Sequence, residues 1–290
     1  MGKNIGFISL VLVLVLTTTC KKVDLSASKN LEAGRILVFG HGGSGFPTEK
    51  NPYPPNSASS VFRAIDFLGA DGVEIDVQLS SDSVLILYHD EDLRTQTACK
   101  GCIAETSISG LANCDYRRYY HFKSNGEGIA TLKDILERFK QYQTHPLVSV
   151  NVHLHYDCLP DVQLETYVHT FARSIVKLIK DYTAYDWVFV ESGTPDFLNI
   201  LRALDSQLKL YYDAPVTPFT VDQCLNNNWQ GLISPLDEAS KEHIELAHDK
   251  KLKVAVYNVK LRNEIKQAIE VNPDFIQSDN VQLLKQYLNE

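Results

Sequence analysis

The chain has 290 residues, with 28 Lys and Arg against 36 Asp and Glu and a formal net charge of −8. That balance argues against a nucleic-acid partner, which needs clustered cations to neutralise phosphates. The apolar content is ordinary, and the length suits one large domain or two small ones.

Residues 1–20 read as a targeting segment. Lys3 gives a basic start, and Ile5 to Leu16 is an apolar run broken only by Gly6 and Ser9. The run is too short for a bilayer span, which needs roughly 20 residues. Thr17-Thr18-Thr19-Cys20 and Lys21-Lys22 follow. A cysteine directly after such a run resembles the bacterial lipoprotein signal, in which that cysteine is lipid-modified and begins the mature chain. The resemblance implies export to the cell envelope, facing the periplasm or the cell surface, with membrane attachment through lipidated Cys20. Plain secretion is the alternative. Residues 21–34, polar and small, read as a tether, and residues 35–290 as one folded domain. Export permits disulfides. Five further cysteines, Cys99, Cys102, Cys114, Cys158 and Cys224, leave at least one free or bonded elsewhere. The Cys99-Lys100-Gly101-Cys102 stretch can close on itself, or one of its two cysteines can pair with Cys114.

In chain order, Ile36 to Gly40 is a short strand that runs into His41-Gly42-Gly43-Ser44-Gly45. Glycines there let a ligand approach the backbone. Pro47 to Pro55 is a loop, and Asn56 or Ser57 caps a helix with Val61, Ile65 and Leu68 on one face. Gly72 to Asp90, GVEIDVQLSSDSVLILYHD, carries the most chemistry. Glu74 and Asp76 share a strand face, and two adjacent carboxylates are costly without a cation between them. A two-residue hairpin loop at Asp82-Ser83 pairs Ser81 with Val84 and places Asp76 opposite His89. Residues 91–130 lack periodicity and read as a disulfide-pinned insertion, or a lid, with Tyr116, Tyr119, Tyr120 and Phe122 as an aromatic patch.

From Thr131 the alternation is regular. Thr131 with Asp134 makes a capping box for a helix to about Tyr142. Strands are expected at 147–154, 187–191, 208–212, 231–234, 254–258 and 275–277. Helices are expected at about 162–180, from Thr194-Pro195, at 221–227, 237–250 and 262–270, and at the C-terminus. Nine strand candidates alternating with helices indicate a (β/α)8 TIM-type barrel, a single α/β domain with an irregular insertion after the third strand. One of the nine is the extra arm of the hairpin, or a misreading. Active sites of such barrels lie at the C-terminal strand ends, where His41, the carboxylate strand and His89 can meet.

These residues resemble the glycerophosphodiester phosphodiesterases of the phospholipase-C-like barrel superfamily. That family's pattern has His-Arg-Gly after the first strand, Pro-Glu-Asn-Thr at the first helix, Gly-Ala-Asp-x-x-Glu-x-Asp-Val, and a strand ending His-Asp. Here stand His41-Gly42-Gly43, Pro54-Pro55-Asn56-Ser57, Gly69-Ala70-Asp71-Gly72-Val73-Glu74-Ile75-Asp76-Val77 and His89-Asp90. The agreement covers residues 36–97 closely and the rest more weakly, with Gln277-Ser278-Asp279 standing for a closing Thr-Asp.

The resemblance implies an enzyme that hydrolyses glycerophosphodiesters to glycerol 3-phosphate and an alcohol. His41 and His89 match the catalytic acid and base. Glu74 and Asp76 match ligands of a divalent metal, Ca2+ or Mg2+. Gly42, Asn56 and His155 fall at substrate-binding positions. Three departures stand out. Gly42 replaces the family Arg, Pro55 replaces the Glu, and Asn-Ile-Glu-Ile-Lys becomes Asn151-Val152-His153-Leu154-His155. His153 thus takes the place of a third metal carboxylate, which favours Mn2+ or Zn2+. Two competing readings are a related phosphodiesterase or phospholipase on another phosphodiester, and a non-catalytic lipoprotein that binds lipid head groups.

Overall fold

The computed structural model describes residues 30–117 and 127–289. The segment 1–20, the tether up to residue 29, and Tyr119, Tyr120 and Phe122 lie outside the described residues. Elements follow in the order β1 (Leu37–Gly40), α1 (Ala58–Asp66), β2 (Gly72–Leu79), β3 (Leu85–Leu87), α2 (Ile108–Leu111), α3 (Leu132–Phe139), β4 (Leu147–Val152) and α4 (Asp161–Asp181). Then come β5 (Val188–Ser192), α5 (Pro195–Leu204), β6 (Leu210–Asp213), α6 (Pro218–Asn226), β7 (Gly231–Pro235), α7 (Lys241–Asp249), β8 (Lys253–Val259), α8 (Arg262–Glu270), β9 (Phe275–Ser278) and α9 (Val281–Asn289). Strands β1, β2 and β4 to β9 are all parallel, and β9 pairs back onto β1. This is the (β/α)8 barrel, with β3 as the extra hairpin arm on β2. Among the described residues, no helix is long and apolar enough to cross a membrane.

The helices begin where polar residues can satisfy their free N–H groups. Ser57 caps α1, Thr131 and Asp134 form a capping box on α3, and α5 and α6 start with Pro195 and Pro218. One apolar layer fills the space between the barrel wall and the helices. A second, built on Leu37, Phe39, Phe189, Tyr211, Ile233, Ala255 and Phe275, plugs the lower barrel interior. A third lies under the insertion, around Ile86, Tyr88, Leu93, Ile103 and Tyr116.

Two expectations change. First, the hairpin register is shifted by one residue: Val77 pairs with Leu87, Gln78 with Ile86 and Leu79 with Leu85. The loop has three residues rather than two. Ser80 N–H donates to Val84 O, and Ser83 sits at φ 65° with its N–H on Ser80 O. Asp82-Ser83 lacks the glycine or asparagine that a two-residue loop favours. Asp82 instead accepts from Ser80 Oγ and from the N–H of Ile108 at the start of α2. Asp76 O therefore accepts from Tyr88 N–H, and His89 lies just beyond the strand. Second, residues 30–34 are not tether. Asn30 Nδ2 donates to Pro273 O at 3.1 Å and Leu31 N–H to Asp274 Oδ1 at 2.6 Å, which fixes them to the barrel floor.

The insertion is pinned by Cys99–Cys114 and by Cys102–Cys158. The first bridge is one of the pairings left open by the spacing. The second joins the insertion to the loop after β4. Cys224 is free and buried.

Candidate active site

A cavity of about 500 Å³ opens at the C-terminal ends of the strands. Its wall includes His41, Gly42, Asn56, Asp76, His89 and His153. On β2, Glu74, Asp76 and Gln78 alternate with Val73, Ile75 and Val77, so the polar set faces inward and the apolar set packs on the helices. His41 follows β1, and its N–H donates to Ser278 O on β9. His153 follows β4, and its N–H donates to Val77 O. Parallel pairing thus brings residues far apart in sequence to one rim.

His41 Nδ1 lies 2.7 Å from Asp279 Oδ1, and His41 Nε2 lies 3.8 Å from Glu74 Oε2. An ionised carboxylate only accepts, so Nδ1–H donates and Nε2 keeps its lone pair. Burial pulls the His41 pKa down. The Asp279 hydrogen bond and charge, with Asp76 and Glu191, more than offset this and hold it above the ordinary histidine value. Asp76 is clamped on three sides. Asn56 Nδ2 donates to Oδ2 at 2.6 Å, Asp76 N–H donates to Asn56 Oδ1 at 2.9 Å, and His153 Nε2 lies 2.8 Å from Oδ1. Burial opposes the Asp76 charge, but the His153 hydrogen bond and the charges of His153, His89 and His41 hold its pKa below the usual carboxylate range. Glu74 is fully buried. Burial, and then the Asp76 charge, push its pKa well above normal, although Gly42 N–H donates to its Oε2 at 2.8 Å. Its Oε1 is buried with no hydrogen-bond partner among the described residues.

His89 Nδ1 lies 2.9 Å from Asp90 Oδ1, and Gln96 Nε2 donates to Asp90 Oδ2 at 3.2 Å. The His89 ring lies 4.6 Å from that of His153, centroid to centroid. His155 is outside the cavity wall, and its Nε2 bonds His89 O at 2.9 Å. Asn56 is in the wall, but both ends of its amide are engaged by Asp76.

The departures at Gly42 and Pro55 prove to be one packing event. Gly42 has φ 56°, and a Cβ there would lie 2.9 Å from Pro55 Cβ. A side chain at position 42 therefore conflicts with the proline at 55.

Sequence reading missed Glu191, Asp213 and Tyr257, all of which line the cavity. Burial and then Glu74 push the Glu191 pKa well up, although Ser149 and Gln277 both donate to it. Burial pushes Asp213 up to about 6, against the hydrogen bond from Tyr257. The signal for the two carboxylates was present: each is a lone acid near the end of an apolar strand, VFVES and LYYD.

A sequence model of the glycerophosphoryl diester phosphodiesterase family matches residues 49–283. The chain is 27% identical over 176 residues to the glycerophosphodiester phosphodiesterase of Caldanaerobacter subterraneus, covering 61% of this chain and 65% of that one. It is 32% identical over 104 residues to a Bacillus altitudinis protein of the same name, covering 36% and 40%. The chain thus spans less than two thirds of the length of these curated relatives. Among solved structures, a phosphodiesterase of Oleispira antarctica in complex with the product sn-glycerol-3-phosphate superposes with a TM-score of 0.76 at 20% identity, over 88% of this chain and 97% of that one. The glycerophosphodiester phosphodiesterase of Thermotoga maritima gives 0.66 at 20% identity, over 87% and 98%. These structures share the barrel fold. The family match spans most of the chain, so this chain belongs to the glycerophosphoryl diester phosphodiesterase family.

Proposed function

We propose that the protein hydrolyses glycerophosphodiesters to glycerol 3-phosphate and an alcohol, with His41 as proton-transfer group and a divalent cation at the carboxylate cluster. The observation that carries this reading is the meeting of His41, Asp76 and His153 in one cavity, with Asp279 bonded to His41 and the buried Glu74 carboxylate 3.8 Å from His41 Nε2. The residues fit a cation: among the described residues Glu74 Oε1 is buried without a hydrogen-bond partner, and Asp76 lies two residues on along the same strand face with His153 against its own oxygen. Asp76 and His153 would hold the ion, with Glu74 beneath. When bound, such a cation neutralises charge developing on the phosphoryl oxygens.

Asp279 fixes the His41 ring and leaves Nε2 to take a proton from the attacking hydroxyl, which belongs to water or to the substrate's own glycerol. An imidazole titrates in the range that lets it return that proton to the leaving alcohol. His89, expected from its motif to be the second acid–base group, has Nδ1 held by Asp90 and Nε2 left for a proton or a cation. Asn56 lines the cavity with its amide engaged in orienting Asp76, and His155 holds the backbone at His89 from outside the cavity wall.

The test is release of glycerol 3-phosphate from glycerophosphocholine by the purified protein. It is run with chelator and then with Ca2+, Mg2+, Mn2+ or Zn2+ restored. Metal-restored turnover that His41→Ala abolishes supports the reading, and absence of turnover with every ion in folded protein overturns it. The Gly42–Pro55 contact, which leaves no room for the family guanidinium, favours a second reading. In that reading the enzyme acts on a related phosphodiester, which a panel of diesters with varied alcohols distinguishes. Export and attachment through Cys20 belong to the same proposal, and two disulfides in the folded domain support an oxidising compartment.

A further inference from the structure

One carboxylate and two imidazoles converge at the mouth of the barrel. A ligand oxygen of Asp76 and one ring nitrogen each of His89 and His153 all lie within 4.8 Å of one another. They come from three segments, β2 itself, the second residue after the β3 arm and the residue after β4, and the pairing of β2 with both β3 and β4 brings them together. Asp76 and His89 are already braced from behind. Asn56 holds Asp76 at 2.6 Å, and Asp90, itself held by Gln96, takes His89 Nδ1 at 2.9 Å. Cys102–Cys158 ties the insertion that carries Asp90 and Gln96 to the loop that follows His153. A carboxylate on the far nitrogen of a histidine is the usual brace of a metal-bound imidazole, because it fixes the tautomer and raises the basicity of the ligating nitrogen. With Nδ1–H on Asp90, the lone pair of His89 is on Nε2.

We infer that His89 is a metal ligand, completing a two-histidine, one-carboxylate centre with Asp76 and His153. The assignment deepens the hydrolase reading and rests on it for the purpose of the ion. It departs from the role that the His-Asp motif suggested, and it has a physical origin in this chain. With an imidazole at position 153 in place of a carboxylate, the cluster loses a hard oxygen donor, and His89 beside it adds a second nitrogen. A donor set of two imidazoles and one carboxylate suits Zn2+, Mn2+ or another divalent transition ion better than Ca2+. All three line the cavity, so an ion they held would be within reach of a bound phosphodiester. His41, paired with Asp279 after the neighbouring strands β1 and β9, then acts as the proton-transfer group without a histidine partner.

The test reads metal binding directly. Full-length protein is stripped with chelator and titrated with Zn2+ by calorimetry, and the visible spectrum of the Co2+-loaded form is recorded. The wild type is expected to take up Zn2+ at this centre more tightly than Ca2+. His89→Ala and His89→Gln are expected to weaken Zn2+ binding by at least about 10-fold and to change the Co2+ bands. His41→Ala is expected to bind both ions as the wild type does. Circular dichroism verifies that each variant is folded, and the glutamine variant stands in if the alanine one is not. Zn2+ affinity and Co2+ bands unchanged in both His89 variants would overturn the assignment, as would a wild type that binds Ca2+ but not Zn2+ or Co2+. A Co2+ spectrum that depends on His89 in a protein without phosphodiesterase turnover would keep the metal centre and remove the hydrolase reading.

Discussion

Inside the barrel, two layers stand on the same strands. The lower one is apolar, with Phe39 on β1, Phe189 on β5, Tyr211 on β6, Ala255 on β8 and Phe275 on β9. Two residues further along each chain stand His41, Glu191, Asp213, Tyr257 and Gln277, which line the cavity. Two residues of strand are about 6.6 Å, so one step converts a dry plug into a charged site. The plug is tightly built: the Phe39 ring lies 5.0 Å from Phe275 and 5.8 Å from Phe189, and all three are buried. It keeps water from reaching the upper layer from below. That is why burial is the largest influence on Glu74, Glu191 and Asp213, and why a cation has a place above them. The lower layer stabilises the fold, while the upper one carries buried like charges that folding alone would not favour.

If that division holds, substitutions in the two layers should separate rate from stability. His41→Ala is expected to lower kcat/KM by about 10²–10⁴-fold while leaving the midpoint of denaturant unfolding close to that of the wild type. Phe39→Ala should do the reverse, losing about 3–5 kcal/mol of unfolding free energy, with kcat per folded molecule retained. A Phe39 variant that unfolds like the wild type, or a His41 variant that unfolds much earlier, would break the contrast. The insertion lies between these extremes. Replacing Cys102 and Cys158 together by serine is expected to cost about 2–4 kcal/mol and to slow turnover as well, because Asp90, Thr95 and Gln96 form part of the cavity wall. Equilibrium unfolding and kcat/KM on the same preparation test both halves of that expectation. Cys224 probes the outer core. Burial pushes its thiol up to about 12, so it should resist a thiol reagent at pH 8 in the folded protein and react once denaturant is added. The smallest effect belongs to the exposed Lys177–Asp181 pair on α4. Lys177→Ala should change stability by less than about 0.5 kcal/mol, a baseline against which the buried layers can be judged.

Much of the site was legible in the chain. Asp76 in an apolar run, His89-Asp90 at its end and His41 before glycines all face the same cavity, with Glu74 buried on the same face of β2, because strand alternation and the barrel's common rim follow from local pattern. Asn56 was legible as a site residue but not as the clamp of Asp76, since its left-handed backbone at φ 62° and its double hydrogen bond depend on β2 lying alongside. His155 shares a strand-face pattern with His153, yet the chain turns after Val152 and sends the His155 ring to the His89 carbonyl. Glu191 and Asp213 went unread because a single acid near a strand end resembles many solvated termini. The Asp76–His89 pairing came out shifted by one residue because Ser83 adopts a positive φ that its residue type does not advertise.

By itself the sequence determined the succession of strands and helices, the polar face of β2 and the cap of α3, because each depends on neighbours within a turn or a pleat. It also determined the likeness to the family over residues 36–97. Only the tertiary structure decided which cysteines meet, that residues 30–34 seal the barrel floor, that Gly42 and Pro55 are one contact, and that Asp76, His89 and His153 lie within reach of one ion. These are contacts between segments far apart in the chain. They are set by which segments lie side by side, β2 between β3 and β4 for the site and residues 30–34 against the start of β9 for the floor, which no local pattern encodes.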